Sequence, residues 1–391
     1  MTTADDTFRT VLDAVRSIAP TLRENAARAD REGWIPDENI ELLEKAGVFG
    51  IAVPARFGGT DLPAAQQTAV VDEVARACGS TGWVTSVWIT TAWMATLYPD
   101  RTQEEAFAAG RVRMSGGFTP SGTLVPTEGG YLLSGSWRFN TGVRGAQWNV
   151  CAALVEHEDG RFEDLYPLVP TSDLTIGDDW DVFGAAGTGS VTSSAENVFV
   201  PAHRVIGAEA YESATRDRWN ADVKGRNYHL LSYILAVSTS VFTGLAKAAL
   251  DTFVAKAPGK GIAYSNWTEQ NQHPHLQVQL AVAANKIAAS ETLQASFVAL
   301  LQEQADEGRP LTVEEKARIR GQIAYIVQTT KEAADLLYTL SPASTILRSG
   351  ALQRIQRDIL ALSAHGLMAP VANFEVQGRV LLGLEPGNDY L

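Results

Sequence analysis

The feature that most constrains the fold is a region of short strand-like runs that separates two helical regions. Residues 5 to about 112 carry apolar side chains at helical spacing. From about 114 to 205, short apolar runs alternate with Gly, Ser, Asp and Pro, which is typical of strands joined by turns. From about 228 the helical spacing returns in four long patterns, at 234–255, 276–305, 313–340 and 351–367. This order predicts an α+β protein with an N-terminal helical domain (1–112), a central β domain (113–215) and a C-terminal helical bundle (216–391).

Charge and cysteine usage limit the classes of partner and the compartment. The net charge of −13 at pH 7 argues against nucleic acid as a ligand. The two cysteines, Cys78 and Cys151, are too few for a disulfide framework and lack the spacing of a metal site, so a reducing cytoplasm is expected. The N-terminus is acidic and lacks the apolar core of a signal peptide. The uncharged stretch 78–99 is interrupted by Thr, Ser and Gly, which favours a buried or pocket-lining helix over a membrane span.

Three polar, glycine-containing loops of the β region are candidates for ligand binding. They span 118–123, 137–142 and 184–190, and they combine small residues, which let a ligand approach the backbone, with hydrogen-bonding hydroxyl groups. Ordinary β-turns explain each loop equally well when it is taken alone. None precedes a helix in the Gly-x-Gly-x-x-Gly pattern of a nucleotide-binding domain. The one close histidine pair, His273 and His275, has no carboxylate or cysteine at ligand spacing, so no metal site is predicted.

A polar stripe marks the last long helical pattern. Since a helix turns by about 100° per residue, Arg354, Asp358 and His365 fall on one face of an otherwise apolar helix. Charged groups that face a core are costly unless they are paired or belong to a site, and an imidazole can move protons near neutral pH. The spacing also allows a second interpretation, an Arg–Asp pair on the helix surface beside a structural histidine.

Several motifs resemble the acyl-CoA dehydrogenase superfamily across nearly the whole chain. In the β region these are Gly-Thr-Gly-Ser at 187–190 and the closing Val-Phe-Val-Pro at 198–201. In the bundle, Leu-Gln-Arg at 352–354, followed by Arg-Asp at 357–358 and by His365, resembles the group D two-component flavin-dependent monooxygenases. That group includes hydroxyphenylacetate, steroid-phenol, dibenzothiophene and amino-sugar oxygenases. The resemblance implies N-terminal helices, a central β-barrel or sandwich and a C-terminal four-helix bundle.

Some motifs of the superfamily are missing or altered in this chain, and these differences help to distinguish its dehydrogenases from its oxygenases. The glutamate-bearing Tyr-Glu-Gly-Thr-like loop of the acyl-CoA dehydrogenases is absent, which disfavours dehydrogenation of an acyl-CoA. Their Arg-x-x-Phe-Gly segment is absent too, and Asn-Trp-Thr-Glu at 266–269 stands roughly there, which leaves FAD and FMN both open. Thr141 stands where the oxygenases often have serine, and Ala186 stands where the third loop commonly carries arginine.

The resemblance implies a monooxygenase that is served by a separate NAD(P)H:flavin reductase. Reduced FAD or FMN would react with O2 to give a C4a-hydroperoxide, which hydroxylates a small aromatic or heteroaromatic substrate such as an indole or a phenol. N-hydroxylation of an amine or amino sugar is the alternative within the oxygenases. Acyl-CoA dehydrogenation and a catalytically silent flavin-binding protein are the alternatives outside them. The family also implies a cytoplasmic homotetramer that binds a small molecule and neither nucleic acid nor a membrane.

The resemblance also implies roles for individual residues. His365 would be the base on a substrate O–H or N–H, or would stabilise the oxygen adduct, while Asp358 and Arg354 would fix its helix and charge state. Thr141 would bond near flavin N5 or to the oxygen adduct. The predicted catalytic residues are His365, Thr141 and Asp358; the cofactor-binding residues are Phe118, Thr119, Trp137, Thr141, Thr188, Ser190 and Arg354; the substrate-binding residues are Trp83, Trp88 and His365. Core packing is expected for at least two of Trp83, Trp88 and Trp93.

Overall fold

The N-terminal region is helical, as its apolar spacing predicts. The computed structural model describes residues 4–110, 112–207, 224–388 and 391. Its first part contains five α-helices: α1 Ala4–Glu32, α2 Asp37–Lys45, α3 Ala64–Ala77, α4 Gly79–Ala95 and α5 Asp100–Ala106. Helix α1 buries Val11, Val15 and Leu22, which lie on one face of the helix, in the main apolar core.

The central region is one curled sheet of seven strands. They are β1 Met114–Thr127, β2 Gly130–Trp137, β3 Trp148–Glu156, β4 Phe162–Pro170, β5 Thr175–Ile176, β6 Ser193–Pro201 and β7 Val205–Gly207. The order across the sheet is β5-β6-β2-β1-β3-β4-β7, and all neighbouring pairs are antiparallel except β1 and β3, which are parallel. Strand β4 also contacts β6, although three strands lie between them, so the sheet curls toward a barrel. It encloses a separate apolar core around Leu133, Trp137 and Cys151.

The C-terminal region is a helical bundle, as predicted, and it carries one helix more than the apolar spacing indicates. Its helices are α6 Leu230–Lys256, α7 Pro274–Glu307, α8 Val313–Thr339, α9 Ala351–Leu362 and α10 Pro370–Leu381. Helices α6, α7 and α8 pack on one another, α9 packs on α6 and α8, and α10 lies against α8. The additional helix is α10, which buries only Asn373 and Val376 and therefore has no readable apolar stripe.

The order of helices, sheet and bundle confirms the predicted α+β class. The predicted domain boundary at 112/113 falls between α5 and β1. The boundary at 215/216 lies outside the described residues. The division into domains at those positions therefore stays a prediction.

Two helices with few or no charges form the centre of the molecule. In α4 every residue except Val87 is buried, which agrees with the prediction of a buried helix rather than a membrane span. Helix α6 is long and apolar enough to cross a membrane by length and composition, but 89% of its most apolar window is buried inside the fold. Because α4 packs against α3, α6 and β1, both helices are core helices.

Two local predictions are wrong. Residues 118–123 are not a loop but belong to β1, whose ladder with β3 shifts register between Gly117 and Gly122. Such a bulge breaks the alternation by which a strand is recognised. The helix predicted over 351–367 ends at Leu362. The N–H of His365 donates to the Leu362 carbonyl in a turn that precedes Pro370, so His365 is not on the stripe of Arg354 and Asp358.

Gly142 is expected not to tolerate a side chain. Its φ is 75°, and a Cβ would lie 2.6 Å from Nε1 of Trp88. Gly129 has a similar φ of 78° with nothing within 4 Å of such a Cβ, so Gly129→Ala is the matched control. We expect Gly142→Ala to lower the free energy of unfolding by about 1–3 kcal/mol more than Gly129→Ala does, because only the first crowds the core. Chemical denaturation of both variants measures the difference, and equal losses would contradict the close contact.

Candidate active site

A cavity of about 680 Å³ lies where the sheet meets α4, α6 and the end of α9. This volume is in the range of small-molecule sites, roughly 300–1,000 Å³. Its walls come from β1 and β2 and from the segments 138–141 and 180–190. Trp83 of α4 and Leu231 and Ile234 of α6 contribute apolar surface, and the turn that follows α9 closes one side. The cavity therefore joins elements from all three regions of the chain.

Eight of the eleven predicted site residues line this cavity. The three that do not are Asp358, Arg354 and Trp88. The eight are Trp83, Phe118, Thr119, Trp137, Thr141, Thr188, Ser190 and His365.

Three buried hydroxyl groups form a chain along one wall. Thr188 Oγ1 donates to the Ala185 carbonyl at 2.8 Å. Thr188 and Ser190 hydroxyl oxygens lie 2.8 Å apart, as do those of Ser190 and Thr141. Each hydroxyl has one proton, so the donation runs from Thr141 to Ser190, to Thr188 and then to the carbonyl. Thr141 therefore presents acceptor lone pairs, and not a proton, to a ligand in the cavity.

His365 sits on the turn after α9 and borders the cavity. Its Nδ1 accepts the Leu367 N–H at 3.2 Å, so the neutral ring carries its proton on Nε2. The ring packs edge-on against Trp83, with centroids 5.4 Å apart. The side chain of His365 is exposed where it borders the cavity, and desolvation by the surrounding protein lowers its pKa to about 4. The imidazole is therefore uncharged at neutral pH.

Asp358 and Arg354 lie behind the cavity wall. The Asp358 carboxylate accepts the Ala185 N–H at 2.7 Å, and burial raises the pKa of this carboxyl to about 7. Arg354 is buried, and its Nη1 has no hydrogen-bond partner in the part of the chain that the structure describes. Neither side chain contacts the cavity, so the predicted direct roles in catalysis and flavin binding find no support in this geometry.

Trp88 belongs to the core, away from the predicted substrate position. Its Nε1–H donates to the Gly142 carbonyl at 3.1 Å, and its ring packs edge-on against Trp34 and Phe49. Trp93 is also buried, and its Nε1–H donates to the Arg226 carbonyl. Of the three tryptophans on α4, only Trp83 lines the cavity. Through its hydrogen bond to Gly142, Trp88 supports the loop that carries Thr141.

Several lining residues were not predicted. Arg138 and Phe139 stand inside the second loop, but no motif singles them out. Trp180 and Phe183 precede the third loop, and Leu231 and Ile234 read as ordinary core positions of α6. Within the described cavity lining, Arg138 is the one charged side chain and no carboxylate is present. Among the residues that the structure describes, no group of three or more His, Cys, Asp or Glu could hold a metal ion.

Comparisons with known proteins identify the family of this chain. The model for the acyl-CoA dehydrogenase N-terminal domain matches residues 5–113, and the model for the C-terminal domain matches 236–370. The chain is 30% identical over 390 residues, 96% of its length and 95% of the relative's, to the FADH(2)-dependent resorcinol hydroxylase, oxygenase component, of Rhizobium sp.. This chain belongs to the flavin-dependent monooxygenases of the acyl-CoA dehydrogenase superfamily.

Two further proteins resemble this chain over nearly its whole length. One is the flavin-dependent monooxygenase, oxygenase subunit HsaA, of Mycobacterium tuberculosis, at 28% identity over 97% of both chains. The other is the structure of XiaF from Streptomyces sp. in complex with FADH2 and glycerol, with a TM-score of 0.94, 28% identity and coverage of 99% and 98% of the two chains. The family member described here is an oxidoreductase that uses reduced flavin and acts with a separate reductase on a small molecule.

The residues of the cavity fit a reduced flavin. The reduced ring carries an N–H at N5 that needs an acceptor, and the hydroxyl chain leaves Thr141 Oγ1 as one. Phe118 supplies aromatic surface for the ring system, whereas Trp137 is buried in the core of the sheet and offers the cavity almost none. Bound flavin would thus meet an acceptor that is fixed in polarity by the protein.

Loss of the Thr141 hydroxyl is expected to weaken the binding of reduced flavin. Thr141→Val should raise the dissociation constant of reduced flavin about tenfold, because one hydrogen-bond acceptor is lost. Thr141→Ser keeps the hydroxyl and should retain the affinity. Anaerobic fluorescence titration measures both. Thr119→Val, which changes a lining threonine outside the hydroxyl chain, is the control, and a loss equal to that of Thr141→Val would refute the special role of Thr141.

Proposed function

We propose that this monooxygenase hydroxylates a small aromatic or heteroaromatic ring, such as that of a phenol or an indole. The observation that carries the proposal is the cavity, in which aromatic and aliphatic walls meet a neutral imidazole and an acceptor hydroxyl. When bound, reduced flavin supplies the activated oxygen atom from O2. The protein residues bind and orient the two ligands and keep water from the reacting atoms.

Thr141, Thr188 and Ser190 are proposed to hold the flavin side of the cavity. Thr141 accepts a hydrogen bond from the reduced ring, and the other two hydroxyls fix the orientation of its lone pairs. Phe118 packs on the ring and Thr119 borders it, while Trp137, which is buried in the core of the sheet, supports this wall and has no surface for the ring. Arg354 receives no cofactor contact in this proposal because it lies behind the wall.

His365 is proposed to act as a hydrogen-bond donor rather than as a base. Its acceptor nitrogen, Nδ1, is already bonded to the Leu367 N–H, which leaves Nε2–H to point at a ligand. A substrate oxygen that accepts this hydrogen bond would be held beside Trp83. The neutral state of the ring keeps the donor in one protonation state across the physiological pH range.

The charges of the cavity support an aromatic substrate over the alternatives. A protonated amine or amino sugar would find no carboxylate in the described lining, and its one charged group, Arg138, would repel it. Dehydrogenation of an acyl-CoA needs a carboxylate base, which is missing from the same lining. Two relatives, "Indole-3-acetate monooxygenase" of Pseudomonas putida (26% identical) and the resorcinol hydroxylase, are named for aromatic substrates. These relatives support the proposed substrate class.

We further propose that the enzyme is a cytoplasmic homotetramer. The exposed apolar side chains of Val371, Leu381 and Leu382 on and after α10 support burial between subunits. Light scattering on the purified enzyme tests the stoichiometry.

Hydroxylation should incorporate one atom of molecular oxygen into an aromatic product. The purified enzyme, an NAD(P)H:flavin reductase, flavin and ¹⁸O2 are combined with a panel of phenols, indoles and matched amines. We expect the label in a phenol or indole product and none in amine products, as measured by mass spectrometry. NADH consumption with hydrogen peroxide as the only product from every aromatic compound would contradict the proposal, as would reduction of the flavin by an acyl-CoA.

Variants of His365 distinguish a donor from a base. His365→Ala should lower kcat by about 10²-fold or more, because a preorganised donor is lost. His365→Gln retains an N–H donor and should keep much more activity than His365→Ala. If His365 were a base, both variants would lose the same activity.

Because the pKa of His365 is lowered to about 4, its charged form appears only as the pH falls toward 4. At saturating reduced flavin, the kcat profile of the native enzyme should therefore show no histidine limb between pH 6 and 8.

A further inference from the structure

Helix α9 contacts three consecutive residues, Phe183, Gly184 and Ala185, which precede Thr188 of the hydroxyl chain. Arg357 Nη1 donates to the Phe183 carbonyl. The backbone of Gly184 packs directly against α9, since a Cβ on this residue would be 2.2 Å from the Arg357 carbonyl oxygen. Asp358 Oδ1 accepts the Ala185 N–H at 2.7 Å. Arg357 is itself held by Asp30 of α1, whose carboxylate lies 2.7 Å away, so the contact is anchored in the N-terminal helices.

Ala185 is the strained member of this segment. Its φ is 53°, in the left-handed region that side chains rarely adopt, and it caps the short turn Ala186–Thr188. Its carbonyl accepts both the backbone N–H of Thr188, at 3.1 Å, and the Thr188 hydroxyl, at 2.8 Å. The peptide groups on both sides of Ala185 are thus fixed, one by Asp358 and one by the first hydroxyl of the chain.

We propose that Asp358 is a positioning residue whose carboxylate holds Ala185 in its left-handed conformation and so sets the polarity and place of the Thr188–Ser190–Thr141 hydroxyl chain. Asp358 does not contact the cavity, so it acts through Ala185. The consequence for flavin binding rests on the proposed function, in which the hydroxyl chain faces the flavin. The effect of Asp358 on the conformation of Ala185 does not depend on the proposed function.

The surroundings of Asp358 make this hold sensitive to pH. The charged or titratable groups around it are Asp30 of α1, Arg354 and Arg357 of α9, and the Cys78 thiol at the start of α4. Burial outweighs the two arginines, and the pKa of Asp358 is raised to about 7. Above that pH the carboxylate accepts a charge-assisted hydrogen bond, and below it the neutral acid accepts a weaker one. The contribution of Asp358 to the binding of reduced flavin should therefore be larger at pH 8 than at pH 6.

The first experiment compares two variants of Asp358 by anaerobic titration with reduced FMN and reduced FAD. Asp358→Asn keeps an acceptor oxygen for the Ala185 N–H and should stay within about threefold of the native dissociation constant, whereas Asp358→Ala should raise it about tenfold or more. The affinity of the asparagine variant should also change less between pH 6 and pH 8 than that of the native enzyme, because the titration of Asp358 no longer contributes. Equal losses in the two variants, or an unchanged constant in Asp358→Ala, would overturn the proposal.

The second experiment tests the conformational step without flavin. Glycine adopts a positive φ without the penalty that alanine has, so Ala185→Gly should restore part of the melting temperature that Asp358→Ala loses. Ala186→Gly is the matched control because Ala186 is not among the residues with positive φ. Equal effects of the two glycines, or no restoration by Ala185→Gly, would overturn the proposal.

The two experiments separate failure of this inference from failure of the proposed function. If the native enzyme binds no reduced flavin, the proposed function fails, while the melting temperatures still test the hold on Ala185. If Asp358→Ala does not fold, the pH dependence of Asp358→Asn and the melting temperature of Ala185→Gly in the Asp358→Asn background remain. In that case the asparagine variant must bind reduced flavin at pH 8 with a dissociation constant within about threefold of that of the native enzyme. A larger loss of affinity would refute the role of Asp358 as an acceptor.

Discussion

The burial of two apolar helices, α4 and α6, against each other is the constraint on which the rest of the structure depends. Helix α4 has no face suited to water, and α6 is almost wholly buried up to Ala249, so both must be covered by other elements. The N-terminal helices and the bundle cover most of this surface, and β1 packs on α4. The cavity lies at the place where this covering changes from helices to sheet. Its position therefore follows from how the core is closed, and Trp83, Leu231 and Ile234 are core residues that happen to border the gap.

The same physical cause moves the two titratable groups of the site in opposite directions. Burial disfavours whichever form is charged, so it lowers the pKa of His365 to about 4 and raises that of Asp358 to about 7. Both shifts reduce the charge carried near the cavity. Apart from Arg138, the polar groups of the lining are hydroxyls, one N–H and backbone groups, and hydrogen bonds set the orientation of the hydroxyls and of the imidazole. Such a site suits an uncharged ring, whose position depends on shape and on a few directed contacts.

The sequence predicts the fold class and eight of the residues that line the cavity, and the errors have identifiable physical origins. Long apolar spacing predicts α6, α7 and α8 because each keeps buried side chains at helical spacing over 27 to 34 residues. Residues 118–123 are mistaken for a loop because the bulge in β1 interrupts the alternation of apolar and polar side chains by which a strand is recognised. His365 is misplaced because angular spacing alone cannot show that α9 ends at Leu362, although the residue still reaches the cavity from the turn. Trp83 and Trp88 are five positions apart, about 140° around a helix, so one faces the cavity and the other the core.

The topology of the sheet has a consequence for the loop that carries Thr141. Because β1 and β3 are parallel neighbours while β2 lies on the other side of β1, the chain from β2 must cross over the end of β1 before β3 can pair. Residues 138–147 make that crossing, and Trp88 supports it at Gly142. The length of this connection is thus tied to the alignment of the strands. A redesign of the enzyme for a new substrate can exchange side chains here, but a deletion would slide β3 along β1 and turn its core residues outward.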